Sequence, residues 1–234
     1  MRFNADLIFF CRQRGADFSG VADLEPFRSG SFVLPENLLD TYHAAVSIAI
    51  RLDDEIIDGI SDRPTPDYSL HCRHINATLD RIAADVVEWI EKKGFRAKAV
   101  PASLWVDPDA LRGNISHKAV ARMAGIGWQG KSLLLVNKKC GPRLRLATVL
   151  TDMPLEPDGP VKNLCGKCSR CADACPAAAI KNVPAKDHYE SREAAIHLKR
   201  CYNKLIEFKE MPGIEYTFCG VCIKACPFGG KKLD

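Results

Sequence analysis

The chain has 234 residues, 47% of them hydrophobic and 26% charged, an ordinary balance for a soluble globular protein and enough for one large domain or two small ones. The longest apolar run near the start, Leu7–Cys11, is far too short for a signal h-region or a membrane span, so a cytoplasmic protein with no membrane partner is expected. The formal charge is only +4, which gives no global basic field for nucleic acid.

Asn4 is the expected N-cap of a first helix whose apolar face, Leu7, Ile8, Phe10 and Cys11, ends at Gly15. A short strand around Ser19–Ala22 follows, and residues 25–40, rich in Pro, Gly and Ser, read as loop. Ala44–Ile50 is a continuous apolar run of strand length, which marks an inner strand covered on both faces. Asp53–Pro66 is acidic and rich in breakers, as a surface loop would be. Asp67 then opens a long helix in which Leu70, Ile75, Leu79, Ile82, Val86, Val87 and Ile90 recur at helical spacing until Lys92-Lys93-Gly94. A strand near Arg96–Val100 comes next. Ser116 caps a further helix that runs through Met123 and stops at Gly125. Lys131–Asn137 and Leu146–Thr151 read as strands joined by a turn at Cys140-Gly-Pro142. Met153–Val161, with three prolines and a glycine, reads as a linker. The expected architecture is α+β: an open sheet domain with flanking helices over 1–161, then a compact cysteine-rich domain over 162–234.

Cys165-x2-Cys168-x2-Cys171-x3-Cys175-Pro176 is the bacterial ferredoxin run. Three closely spaced thiolates wrap one iron–sulfur cube, and the fourth normally ligates the other cluster of a pair. That rule asks for a second set, and Cys219-x2-Cys222-x3-Cys226-Pro227 is the same run without its first cysteine. Cys201, eighteen positions before Cys219, fills the gap if the intervening segment loops back. The expected ligand sets are Cys165, Cys168, Cys171 and Cys226 for one 4Fe–4S cluster and Cys175, Cys201, Cys219 and Cys222 for the other. Zinc sites pair two C-x2-C knuckles and have no use for the C-x3-C-P tail; a disulfide framework does not suit a reducing compartment. Eight thiolates and two oxidised cubes bring the holoprotein near neutrality.

Gly125-Ile-Gly-Trp-Gln-Gly130-Lys131-Ser132 fits the phosphate-loop pattern letter for letter. A phosphate loop needs a strand entering and a helix leaving; here a helix enters and an apolar run leaves, so nucleotide binding is not expected. The glycines serve either a helix-to-strand connection or the close approach of a flat cofactor, with Trp128 as an aromatic surface.

Residues 117–137, then Leu150-Thr-Asp152-Met-Pro154, then the cysteine run with Pro176-Ala-Ala-Ala-Ile180, resemble the epoxyqueuosine reductases. The resemblance implies a nitroreductase-related sheet domain holding cobalamin, two 4Fe–4S clusters, and kinship with reductive dehalogenases. It puts Gly125, Gly127, Trp128, Gly130 and Lys131 near the corrinoid, with Asp67-Tyr68 matching the family's D-Y-H segment. Two departures stand out. The position of the family's aspartate proton donor falls on Leu111, with Asp107 and Asp109 close by, and the following glutamate aligns with His117. The chain stops at Asp234, where members of that family continue into a helical-repeat extension associated with tRNA, so a short member is expected and tRNA is not an expected partner. Single electrons from a low-potential donor such as ferredoxin or flavodoxin would pass through the clusters to the corrinoid, then to a small-molecule substrate or a partner corrinoid protein. His117, Asp107 and Asp109 are candidate acids for that last step. His71 and His74, one helical turn apart, lack a third metal ligand nearby. Cys11, Cys72 and Cys140 are expected to be core thiols, and Lys138, Lys139, Arg143 and Arg145 form a basic cluster.

Overall fold

The computed structural model describes residues 2–28 and 33–229. In chain order its elements are α1 (Arg2–Gln13), β1 (Phe18–Asp23), α2 (Glu25–Arg28), a 3-10 turn (Glu36–Leu39), β2 (Ala44–Arg51), α3 (Asp54–Asp58), α4 (Pro66–Glu91), β3 (Ala97–Val100), α5 (His117–Met123), β4 (Trp128–Gln129), β5 (Leu135–Val136), β6 (Leu144–Thr151), α6 (Arg170–Asp173), α7 (Arg192–Ala195), α8 (Leu198–Lys209) and α9 (Val221–Lys224). The chain is α+β and divides into two compact units. The first comprises 1–50, 75–126 and 145–161; the second comprises 51–74, 127–144 and 162–234. The division differs from a single cut at 161, because 51–74 and 127–144 group with the cysteine-rich residues.

The first unit is built on a four-stranded sheet in the order β1-β2-β6-β3, with β1 antiparallel to β2 and β3 antiparallel to β6. β2 is buried at every position except Arg51, as its uninterrupted apolar run requires for an inner strand. The apolar face of α4 from Ile75 onward, with Leu79, Ile82, Val86 and Ile90, packs with Leu7 of α1 and Ile48 of β2 in one core. Leu70, counted on that face in the sequence, is 45% exposed. Two expectations are corrected. Helix α1 begins at Arg2, so Asn4 is not its cap; its amide instead clips the backbone of Glu156, donating to O (2.7 Å) and accepting from N–H (3.1 Å). The supposed linker 153–161 is fastened to the free edge of β1: the Val21 N–H donates to Asp158 Oδ2 (2.7 Å), the Asp158 N–H returns to Val21 O (2.9 Å), and Met153 and Leu155 enter the core.

In the second unit, the stretch expected as an acidic surface loop carries α3. Asp53 caps it, accepting from the Glu55 and Ile56 N–H groups, and Ile57 and Ile60 are fully buried. An amphipathic turn hidden among acidic residues is too short to leave a periodic signal. The strand expected over Lys131–Asn137 shrinks to Leu135–Val136, paired with Trp128–Gln129, because Leu133 takes a φ of +59° and breaks the extended run. Arg143 is buried, with Nη1 on Asp54 Oδ1 (2.9 Å) and Nη2 on Asp58 Oδ1 (2.6 Å). That ion pair secures α3 to the segment that follows the β4–β5 hairpin.

Candidate iron–sulfur centre

The second unit gathers the eight expected ligands. Its first cysteine loop is shaped locally: Asn163 Oδ1 accepts the Cys165 N–H (2.9 Å), Cys165 O accepts the Cys168 N–H (3.2 Å), and α6 carries Cys171. The chain returns through a bridge between Ile180 and Ile196, and α8 then presents Cys201. This is the loop-back that the spacing demanded. Cys222 lies on α9, whose N-cap residue Gly220 has a φ of +80°. A Cβ at Gly220 would sit 2.4 Å from Ile60 Cδ1 and 2.8 Å from Tyr68 Cε1. Only glycine combines that backbone with that contact.

Cys165, Cys168, Cys171 and Cys226 line one pocket, walled also by Cys222, Gly130, Lys131 and Phe228. Burial, and then the charges of nearby Cys219, Cys201, Cys171 and Cys175, raise the pKa of Cys222. The two groups therefore meet at Cys171 and Cys222. Among the described residues, no three Cys, His, Asp or Glu side chains converge on a point where one metal ion would sit. Thiols gathered in this number around one pocket are the donor set that a polynuclear cluster needs. Burial, and then neighbouring thiolates, push the thiols of Cys171 and Cys226 up to about 11, and burial does the same to Cys219. Thiols so situated become thiolates when a cationic core neutralises them, so the donor set fits iron–sulfur chemistry.

The glycine-rich motif serves this centre. Its β4–β5 hairpin turns Trp128 inward, where the indole Nε1–H donates to Cys165 Sγ (3.4 Å) and the ring meets Phe228 edge-on at 4.9 Å. Lys131 is only 4% exposed. Its ammonium donates to Cys168 O (2.8 Å) and Asn182 Oδ1 (2.9 Å). A Cβ at Gly127 would strike Val136 O at 2.3 Å, and one at Gly130 would strike Val136 Cγ2 at 2.7 Å. The close approach these glycines permit is thus to their own hairpin partner. Sequence reasoning missed Gln129, Asn163 and Asn182. Gln129 accepts the Tyr189 N–H (2.8 Å) on its side chain and the Asn163 amide (3.1 Å) on its backbone. Asn163, two residues before a ligand cysteine, carried the turn signal that would have found it.

The other candidates are not among the residues that line this pocket. Asp67 is exposed on the first turn of α4, while Tyr68 is buried beneath Gly220. Gly125 ends α5 in the first unit with a φ of +69°. His117 is also in the first unit, its Nδ1 2.8 Å from Thr148 Oγ1 and its Nε2 3.0 Å from Pro101 O. The carbonyl can only accept, so Nε2 carries the proton and Nδ1 accepts from the threonine. Asp107 closes a small turn, accepting the Ala110 N–H (2.9 Å) and bridging to Arg112, and Asp109 is exposed at its tip. His71 Nε2 accepts the Asp53 N–H (3.1 Å). Cys11, Cys72 and Cys140 are buried thiols, as expected. The basic cluster is dispersed: Lys138 and Lys139 are exposed, Arg143 is in its buried ion pair, and Arg145 donates to Asn76 Oδ1 (2.8 Å).

Two four-thiol groups on one unit define an iron–sulfur protein of the double-cluster class, and residues 164–229 match the family model for the 4Fe-4S double cluster binding domain. The chain is a homologue of the epoxyqueuosine reductases. It is 31% identical to the epoxyqueuosine reductase of Bacillus subtilis (strain 168) over 209 residues, covering 86% of this chain and 51% of that protein. It is 35% identical to that of Gloeobacter violaceus over 160 residues, or 67% and 47% of the two chains. The chain thus spans about half the length of these relatives. A crystal structure of epoxyqueuosine reductase with an epoxyqueuosine-modified tRNA-Tyr stem loop shares the fold at a TM-score of 0.66 and 22% identity, over 97% of this chain and 65% of that one. A catabolic reductive dehalogenase in complex with 3-bromo-4-hydroxybenzoic acid does so at 0.73 and 22%, over 95% and 31%. Among the described residues no helix is long and apolar enough to cross a membrane.

Proposed function

We propose that this chain is a cytoplasmic iron–sulfur oxidoreductase. It takes single electrons from a low-potential donor of the ferredoxin or flavodoxin kind and passes them through two 4Fe–4S clusters to a corrinoid. The single observation that carries this reading is the sorting of eight cysteines into two groups that meet at Cys171 and Cys222, since adjacent clusters with interleaved ligands conduct one electron at a time. The corrinoid is supported by relatives: among the solved structures sharing this fold is one of a reductive dehalogenase with B12-dependent chemistry, at a TM-score of 0.71 and 21% identity. A corrinoid would supply a strongly reducing cobalt centre; the residues of this chain supply its electrons.

The side chains assigned to a flat cofactor from sequence do not make a cradle for one. Trp128 and Lys131 face the cysteines, and Gly127 and Gly130 are covered by Val136. That commitment favours a second reading, in which the corrinoid belongs to another protein and this chain is its electron donor or reactivase. Asp107 accepts an N–H of its own turn and both nitrogens of His117 are hydrogen-bonded within the first unit, which supports that second reading.

Anaerobic reconstitution tests the reading. About eight irons and eight sulfides per chain are expected, with both clusters reducible by dithionite. Four irons or fewer, or zinc in their place, would overturn it. Hydroxocobalamin passed over the reduced holoprotein and through gel filtration separates the two acceptors: stoichiometric retention supports a corrinoid held by this chain, and reduction without retention supports an external one. With an epoxyqueuosine-bearing anticodon stem loop, no turnover is expected.

A further inference from the structure

The phosphate-loop-like motif leaves one chemical question: what a buried lysine and an indole N–H do beside a cluster pocket. Oxidised, a cube held by four thiolates carries about −2, and one added electron makes it −3. Donors and cations at the sulfurs stabilise the added charge, so hydrogen bonding and net charge set the potential. Backbone N–H groups reach thiols of both sets: Ala179 to Cys175 (3.4 Å) and Val221 to Cys219 in one, Phe228 to Cys226 in the other. The set lining the pocket also has two side-chain donors from the β4–β5 hairpin, one to a thiol and one to a cysteine carbonyl. The Trp128 indole donates directly to Cys165 Sγ at 3.4 Å. Lys131, a wall of the same pocket, holds its ammonium 2.8 Å from Cys168 O, where solvent barely screens it.

We propose that Trp128 and Lys131 raise the reduction potential of the cluster at Cys165, Cys168, Cys171 and Cys226, making it the place where an electron comes to rest after entering the unit. This deepens the two-cluster reading and rests on it. Each donor stabilises one electron added to one cube; no bond is made or broken and no proton moves. The motif is then a tuning device in which Gly127 and Gly130 let the hairpin close and Trp128 and Lys131 project from it. Both are positioning residues, acting through the cluster's sulfur environment.

The test is an EPR-monitored redox titration of anaerobic holoprotein, with Cys165→Ser used to assign the signal of this cluster. Trp128→Phe removes one N–H and keeps the ring on Phe228. Lys131→Met removes the charge, and Lys131→Arg restores it. Each of the first two is expected to disfavour reduction of that cluster about tenfold, a fall of about 59 mV for one electron. The other cluster should be unmoved, and Lys131→Arg should recover most of the shift. Trp128→Phe decides the matter even if Lys131→Met fails to hold its irons. Unchanged potentials in fully loaded Trp128→Phe protein, or a shift confined to the other cluster, would overturn the proposal while leaving the two-cluster reading standing. An iron count of four in the wild type would remove both.

Discussion

The two units are held together by different physics. The first has a contiguous aliphatic core, Leu7, Ile48, Leu79, Ile82 and Ile90 among its fully buried residues, between a sheet and two long helices. In the second, the largest fully buried side chains are Leu52, Ile57, Ile60, Trp128 and Arg143, and all five come from 51–74 or 127–144. Residues 162–229 add none to that group; their helices are four residues long except α8, and their small apolar cluster centres on Tyr189, Ala195 and Ile196. A segment that buries so little cannot offset its ordering entropy with apolar contacts alone. Its thiols must be joined by metal for it to hold its shape, and metal affinity there is folding free energy.

The sharpest test of that contrast is removal of iron. Anaerobic chelation of the holoprotein is expected to bring the amides of 164–229 close to unprotected exchange while those of β1, β2 and β6 keep their protection, as read by hydrogen-exchange mass spectrometry. Equal loss in both units would mean that the sheet depends on the clusters, and the contrast would fail. The converse change is Ile82→Ala. Ile82 is fully buried in the first unit's core, so truncation should cost about 2–5 kcal/mol of that unit's stability in urea unfolding, with the iron content unchanged.

The same contrast explains what could be read in the sequence. Apolar periodicity survives wherever an element is long and one-sided, which is why α4 and β2 were legible to within a residue or two. Ligand spacing is a geometric requirement of the cluster, so a double-cluster domain could be read from the cysteines without the fold. Elements whose folding depends on distant partners were hidden. Helix α3 is ordered by Arg143, far away in sequence, and 153–161 looks like a linker until Asp158 finds Val21. The motif at 125–132 misled in another way. Its glycines and lysine were recognised, but which surface they face is decided by the short hairpin and by Asn163 and Asn182, whose local patterns carry no periodicity.

Gly220 sharpens the comparison, because it is where a borrowed apolar segment meets a ligand helix. Gly220→Ala forces a side chain into the left-handed region, at about 1–2 kcal/mol, and drives its Cβ onto Ile60 and Tyr68, with overpacking worth about 1–3 kcal/mol more. The strain falls beside Cys219 and Cys222. The variant should therefore lose iron from the set Cys175, Cys201, Cys219 and Cys222 first, seen as a drop toward half the iron per chain with one EPR signal retained. Full iron loading at wild-type stability would show that α9 tolerates the shift and that the borrowed segment is not a fixed wall.

The smallest expected effect belongs to the first unit alone. Burial lowers the pKa of His117 below its ordinary 6.5, against a lesser rise from the Pro101 carbonyl, so the native ring is neutral, held between Thr148 and that carbonyl. The unfolded chain takes up its proton first as pH falls. Stability from this residue is therefore complete above about pH 6.5 and declines below it toward the lowered native value. His117 is only half-buried as a residue, which keeps the effect modest. Exchange protection of β6 amides, compared between wild type and His117→Gln across pH 7.5 to 5, should show a decline in the wild type that the variant lacks. The difference between the two isolates His117 from Asp152, whose carboxyl, held low by Arg96 despite partial burial, loses its contribution only below about pH 4. A wild-type decline matched in full by the variant would mean that the ring is already free to take a proton in the native protein, and His117 would return as a candidate acid for chemistry in this unit.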